Sequence, residues 1–104
     1  MDNEQFGLKT NDLETIKAVL QKHFDIEEAL IFGSRAKGCF KAGSDVDIAL
    51  KGKVHNIVLE VSYELNEEGL LPYKFDVLDY SAIDNQKLID HINRVGIIFY
   101  EKQK

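Results

Sequence analysis

The spacing of hydrophobic positions along this chain changes several times, and each change marks an element. Leu13, Ile16, Leu20 and Phe24 recur at intervals of three and four, which predicts an amphipathic helix running to about His23. Asn11 and Glu14 stand in a capping-box relation at its start, so Asn11 is expected to accept from the Glu14 amide. Ala29 to Phe32 is a short β-favouring run stopped by Gly33, read as a buried strand. Ser34 to Gly38 then predicts one helical turn, and Cys39 to Gly43 a loop. From Asp45 to Leu50 the pattern alternates, with Val46, Ile48 and Leu50 facing one way and Asp45, Asp47 and Ala49 the other.

Lys51 to Lys53 reads as a turn. Val54, Val58, Val61 and Leu65 mark a further helix, closed by Gly69 and then Pro72. Tyr73 to Tyr80 is β-rich and predicts a third strand. Ser81 or Asp84 is expected to cap a helix carrying Leu88, Ile92 and Val95, ended by Gly96, before a last strand from Ile97 to Tyr100. Residues 1–10 read as a loosely held arm. The order α-β-(α)-β-α-β-α-β has no repeat and no linker. It predicts one α/β domain over residues 1–104, a mixed sheet with helices packed on it.

Composition narrows this picture modestly. A chain of 104 residues can bury one core, but not a core and a separate substrate domain. A net charge of −5 argues against general nucleic-acid binding, which needs a basic face. The single cysteine, Cys39, cannot form an intrachain disulfide. No apolar run approaches a membrane span, and the polar, acidic N-terminus resembles neither a signal nor a transit peptide, so the cytoplasm is the expected location.

The chemistry concentrates between Leu30 and Leu50. Asp45 and Asp47 lie two residues apart on one strand face, with Cα atoms roughly 6.5–7 Å apart, so both can reach one metal site. Aspartate is a poor strand former, and core burial does not account for a pair of them. Hard oxygen donors in this arrangement suit a divalent cation. Gly33 allows backbone to approach a phosphate, Ser34 offers a hydroxyl, and the amides that follow add partial positive charge. Arg35, Lys37 and Lys41 could neutralise phosphate oxygens, Arg35 foremost and Lys41 least.

Each feature also has a plainer explanation. The acids could guard a strand edge, Ser34 could be a helix cap, and the basic residues could be a solvated loop. The spacing favours chemistry: Gly-Ser, ten residues, then Asp-x-Asp. A third carboxylate is expected from a neighbouring strand. Asp76 sits in the apolar run Phe75 to Leu78, where a buried charge needs a partner, whereas Asp79 should face the opposite side. His23, His55 and His91 lack ligand-like spacing and read as surface residues, and Cys39 as a tolerated thiol.

Together these residues resemble the DNA polymerase β-type nucleotidyltransferase superfamily, and the short length resembles its minimal nucleotidyltransferase (MNT) members. The resemblance covers nearly the whole chain. It implies transfer of a nucleoside monophosphate, AMP from ATP, to an acceptor hydroxyl with release of pyrophosphate. By this resemblance Asp45 and Asp47 would hold two Mg²⁺ ions, and Asp76 would complete the second metal site and help to activate the acceptor. Gly33 and Ser34 would hold the β- and γ-phosphates, with Arg35 and Ser44 also binding nucleotide. Two-metal sites of this kind clamp the attacking and leaving oxygens of an in-line displacement.

Larger members carry an acceptor-binding domain for which this chain has no room. Similar minimal proteins pair with a HEPN-type toxin and act as antitoxins in type VII-like modules, AMP transfer to a toxin tyrosine being one mode of neutralisation. A HEPN-domain partner is therefore expected. Two other readings compete: a partner-binding antitoxin with a vestigial site, and a small-molecule (antibiotic) nucleotidyltransferase. The retained acids argue against the first, and the missing acceptor domain against the second.

Overall fold

A computed structural model describes residues 5–41 and 43–102. Helix α1 spans Thr10–Gln21, β1 Ile26–Phe32, the short helix α2 Gly33–Lys37 and β2 Val46–Gly52. Helix α3, Val58–Tyr63, runs on into a π-helical turn, Glu64–Glu68. Strand β3, Phe75–Asp79, a 3-10 turn, Tyr80–Ala82, helix α4, Gln86–Val95, and strand β4, Ile97–Glu101, complete the chain. The expected element order is present, and so is the mixed α/β sheet. Its strands lie in the order β3-β2-β1-β4, with β1 antiparallel to β2 and β4, and β2 parallel to β3. Among the described residues no helix is long and apolar enough to cross a membrane.

Side-chain alternation gives the sheet two unequal faces. Ile31, Val46, Ile48, Leu50, Phe75 and Val77 point to one side, where they meet Ile16 and Leu20 of α1 and Val61 and Leu65 beyond β2 in the main core. Phe32 and Ala49 point to the other side, where Ile92 of α4 closes a much smaller cluster with Leu78, Leu88 and Val95 against it. Deleting a side chain from the larger core, as in Ile16→Ala, would cost about 2–5 kcal/mol.

The structure corrects several local expectations. Lys9 occupies the N-cap position of α1 without a side-chain cap, and Asn11 lies inside the helix, where its carbonyl accepts from the Thr15 hydroxyl at 3.0 Å. No Asn11–Glu14 capping box forms. Strand β1 begins at Ile26 rather than Ala29, because Ile26 and Glu28 pair with Gly52 and Lys51 across a bulge. The same pairing draws Lys51 and Gly52 into β2 instead of a turn. Residues Val54 to Ile57 form a turn before α3, and Asn85, not Ser81 or Asp84, caps α4 by accepting from the Lys87 and Leu88 amides. Residues 5–9 are docked rather than loose: Leu8 is fully buried and Gln5 bridges back to it. The first four residues of the expected arm lie outside the described residues.

Candidate active site

Strand register assembles the acids. Asp47 lies opposite Phe32 on one side and opposite Asp76 on the other, so β2 carries one carboxylate at the centre of the sheet and β3 carries the next alongside. Asp45 immediately precedes β2, one residue from the Val46–Phe75 pair. All three expected acids therefore gather at the N-terminal ends of two parallel strands, on the thinly covered face. Burial pushes the Asp47 carboxyl up to about 6, helped by the charges of Asp76 and then Asp45. Asp79, by contrast, sits across from Leu50. Its carboxylate accepts from the Ser81 amide and hydroxyl, and His55 approaches it at 3.9 Å.

Asp76 departs from expectation in one respect. It is exposed, whereas its neighbours Phe75 and Val77 are buried. An edge strand puts the apolar residues into the core and leaves the alternate side open, so an acid there needs no buried partner. Its claim to the site rests on register with Asp47.

Gly33 closes the site from β1. Its φ of +75° is left-handed, and a Cβ built there would collide with the Asp47 carboxylate. Backbone and carboxylate thus approach as no other residue would allow. Ser34 follows at the start of α2, half-buried, and its carbonyl accepts from the Gly38 and Cys39 amides as the turn ends.

Arg35 has different work from the phosphate contact expected of it. It is 2% exposed, and its guanidinium donates to the Ser44 carbonyl at 3.0 and 3.2 Å and to the Phe6 carbonyl at 2.9 Å. It also lies over the rings of Phe40 and Tyr73 at 5.2 and 5.3 Å. Arg35 therefore fastens the Gly33–Ser34 turn to the residue before Asp45, to the stretch leading into β3 and to the N-terminal segment. Ser44 belongs to the same clamp, its hydroxyl accepting from the Lys41 amide at 2.8 Å. Lys37 and Lys41 are exposed.

A residue that sequence reasoning passed over completes the frame. Asn66, in the π-helical turn, donates to the Phe75 carbonyl at 3.0 Å and accepts from its amide at 2.8 Å. It thereby fixes the residue before Asp76. Its one signal is an asparagine inside a helical pattern, where its side chain competes for backbone groups.

The histidines also sort differently than expected. His23 is not a surface residue: its ring lies 2.5 Å from Glu64 and 3.7 Å from Glu60, and Glu64 also meets Lys22 at 2.8 Å. Burial would raise the Glu64 carboxyl, but the hydrogen bonds from Lys22 and His23 outweigh it and hold it below the ordinary range. Among the described residues, His23, Glu60 and Glu64 are the group whose ligand atoms already lie within 4.8 Å of one another. They form an ion-paired knot between α1 and α3, remote in chemistry from the acid face. His91 packs edge-on against Phe32 at 6.2 Å, and His55 is exposed.

The acid face fits divalent cations through its donor chemistry. Burial, then the charges of Asp76 and Asp45, raises the proton affinity of Asp47, with no lysine or arginine among the causes acting on it. Cations are what such a set binds, and hard oxygen donors match Mg²⁺. The carboxylates would hold the ions, and Gly33 and Ser34 would face the triphosphate.

Comparison with known proteins agrees with this geometry. Residues 14–104 match the family described as "Polymerase beta, Nucleotidyltransferase". The chain is 29% identical over 102 residues to the probable protein adenylyltransferase MntA of Haemophilus influenzae, covering 96% of this chain and 89% of that protein. A toxin–antitoxin complex with AMP-PNP superimposes with a TM-score of 0.72 at 22% identity, over 88% of this chain and 74% of that one. A tri-AMPylated Shewanella oneidensis HEPN toxin in complex with its MNT antitoxin gives a TM-score of 0.66 at 20% identity, over 89% and 72%. From its first helix to its last residue, then, this chain belongs to the polymerase β-type nucleotidyltransferase family.

Proposed function

We propose that this chain is a Mg²⁺-dependent adenylyltransferase that moves AMP from ATP to a tyrosine hydroxyl of a HEPN-type toxin in the cytoplasm, and so acts as its antitoxin. The observation that carries this reading is the gathering of Asp45, Asp47 and Asp76 on adjacent strands, with the Gly33 backbone against Asp47. The similarity to MntA, a probable protein adenylyltransferase, and to an MNT antitoxin bound to an AMPylated toxin supports the choice of acceptor.

The chemistry follows from the parts. Mg²⁺, when bound, neutralises triphosphate charge and favours the ionised acceptor oxygen. Asp45 and Asp47 would hold the cations. The Gly33–Ser34 backbone and the Ser34 hydroxyl orient the β- and γ-phosphates. Asp76, exposed at the sheet edge, meets the acceptor and helps to activate its hydroxyl. The acceptor hydroxyl passes its proton to the Asp76 carboxylate as its oxygen bonds the α-phosphorus, the bond from that phosphorus to the bridging β-phosphate oxygen breaks, and pyrophosphate leaves with that oxygen. Arg35, Ser44 and Asn66 hold these groups in place from beneath.

The test uses ATP labelled at the α- or γ-phosphate, Mg²⁺ and the HEPN-type protein of the same genome. Label from the α-position alone should appear on a tyrosine of that protein. Label from the γ-position would mean kinase chemistry, and no label from either would leave a binding protein.

A further inference from the structure

Helix α4 has two polar flanks, and they face opposite ends of the sheet. Lys87, His91 and Arg94 recur at spacings of four and three and share one flank, while Gln86, Asp90 and Asn93 share the other. On the second flank Asn93 accepts from the Tyr80 hydroxyl at 2.8 Å, and Gln86 donates to Asp90 at 2.8 Å. Tyr80 follows the C-terminal end of β3, and Lys51, near the C-terminal end of β2, lies over its ring at 4.6 Å. That flank therefore looks away from the carboxylates, which stand at the N-terminal strand ends.

The first flank looks toward them. His91 is half-buried and meets the Phe32 ring edge-on at 6.2 Å. Phe32 pairs with Asp47 and immediately precedes Gly33. Paired strand residues point their side chains to one face of the sheet, so His91 stands over the face that carries Asp47. Helix α4 also packs against α2, the helix that opens with Gly33 and Ser34. Lys87 and Arg94 lie one turn to either side of His91, and both are exposed. Among the described residues neither forms an ion pair.

We infer that Lys87, His91 and Arg94 bind the outer oxygens of the β- and γ-phosphates, the part of ATP that leaves as pyrophosphate. Two divalent cations offset the charge of a triphosphate or that of the carboxylates, but not both, so the loaded site needs cations from the protein. Arg35 does not supply one, because its guanidinium is committed to the Ser44 and Phe6 carbonyls. The α4 flank does. A guanidinium grips two phosphate oxygens at once, a lysine adds a point charge, and the His91 ring, held by Phe32, donates an N–H. Gly33 and Ser34 meet the same phosphates from β1, and the flank meets them from α4. The inference rests on the adenylyltransferase reading and adds the groups that hold its leaving group.

The experiment titrates the full chain with AMP-PNP and, separately, with AMP, each in the presence of Mg²⁺. Arg94→Ala and Lys87→Ala should each weaken AMP-PNP binding roughly tenfold, the scale of one charge-assisted hydrogen bond. Both should also lessen its salt dependence. AMP lacks the two outer phosphates, so its affinity should stay at the wild-type value. His91→Phe keeps a ring against Phe32 but removes the donor, and should weaken AMP-PNP alone. His91→Gln restores a donor and should recover part of that loss. Asp90→Ala, on the other flank, should change neither affinity. If Arg94→Ala, Lys87→Ala and His91→Phe bind AMP-PNP as wild type does, or lose AMP to the same degree, the flank does not hold these phosphates. The transferase reading then still stands on AMP transfer by the wild type. A wild-type chain that binds no AMP-PNP overturns the transferase reading, and this inference with it.

Discussion

On one side of the sheet Val46, Ile48 and Leu50 disappear beneath α1 and α3, while on the other side of the same strand Asp47 stands at the margin of α4. The first face is built for stability. Its side chains are apolar and interlocked with two helices. The second face gives up cover: α4 reaches Phe32 and Ala49 but leaves the strand starts open. There the chain places three carboxylates, and burial of Asp47 beside the charges of Asp76 and Asp45 disfavours its ionised form in the folded state. The comparison teaches where this domain concedes stability, and the concession coincides with its candidate chemistry.

The sharpest way to break the comparison is at Asp47. Replacing Asp47 with Asn should lower AMP transfer by on the order of 10³-fold or more, the scale of losing transition-state charge stabilisation. The same change should raise the apo-protein Tm at neutral pH by a few degrees, because a repelled, partly buried charge is gone. A thermal melt and a transfer assay on one preparation check both signs.

Arg35 tests the frame beneath that face. Arg35→Ala leaves the Phe6 and Ser44 carbonyls without their donor and removes a cation held between two rings. The expected loss is roughly 2–4 kcal/mol of stability, readable by urea unfolding. Arg35→Lys should recover only part of it, since a point charge cannot reproduce the planar fork.

Asp76 and Asp79 separate function from structure on a single strand. Asp76→Asn should remove most activity while leaving stability near wild type. Asp79→Ala should do the reverse, costing about 1 kcal/mol through the lost cap of the Tyr80–Ala82 turn. Equal activity losses would remove Asp76 from the site.

The smallest effect is one of pH. The folded Asp47 carboxyl titrates at about 6, above its ordinary 3.8, so between those values the folded state binds the extra proton. This group's contribution to stability therefore falls as pH rises through that window, and returns on acidification. Melts at pH 5 and pH 7 in EDTA should show this drift in Asp47 protein and lose it in Asp47→Asn. Adding Mg²⁺ at pH 7 should raise the wild-type Tm.

Much of this could be read from the chain because periodicity and spacing are local. The strand alternation at Val46 to Leu50 placed Asp47 on its face, and ten residues between Ser34 and Asp45 marked the turn and the acids as one unit. What escaped depends on distant partners. The role of Arg35 is set by Phe6, 29 residues away, and by Tyr73 beyond β2. His23 is enclosed by Glu64, 41 residues later. The exposure of Asp76 follows from β3 being an edge strand, which the apolar run around it does not reveal. The start of α1 escaped for a local reason: the helix begins at Thr10 without a side-chain cap, so the polar Asn11 marks no boundary.

The most direct test of the acid face takes the double variant Asp45→Asn, Asp47→Asn into the transfer assay alongside a binding measurement. The account predicts that this protein still binds the HEPN-type protein of the same genome but leaves it unlabelled by α-labelled ATP and Mg²⁺. Transfer at the wild-type rate from the double variant would contradict it.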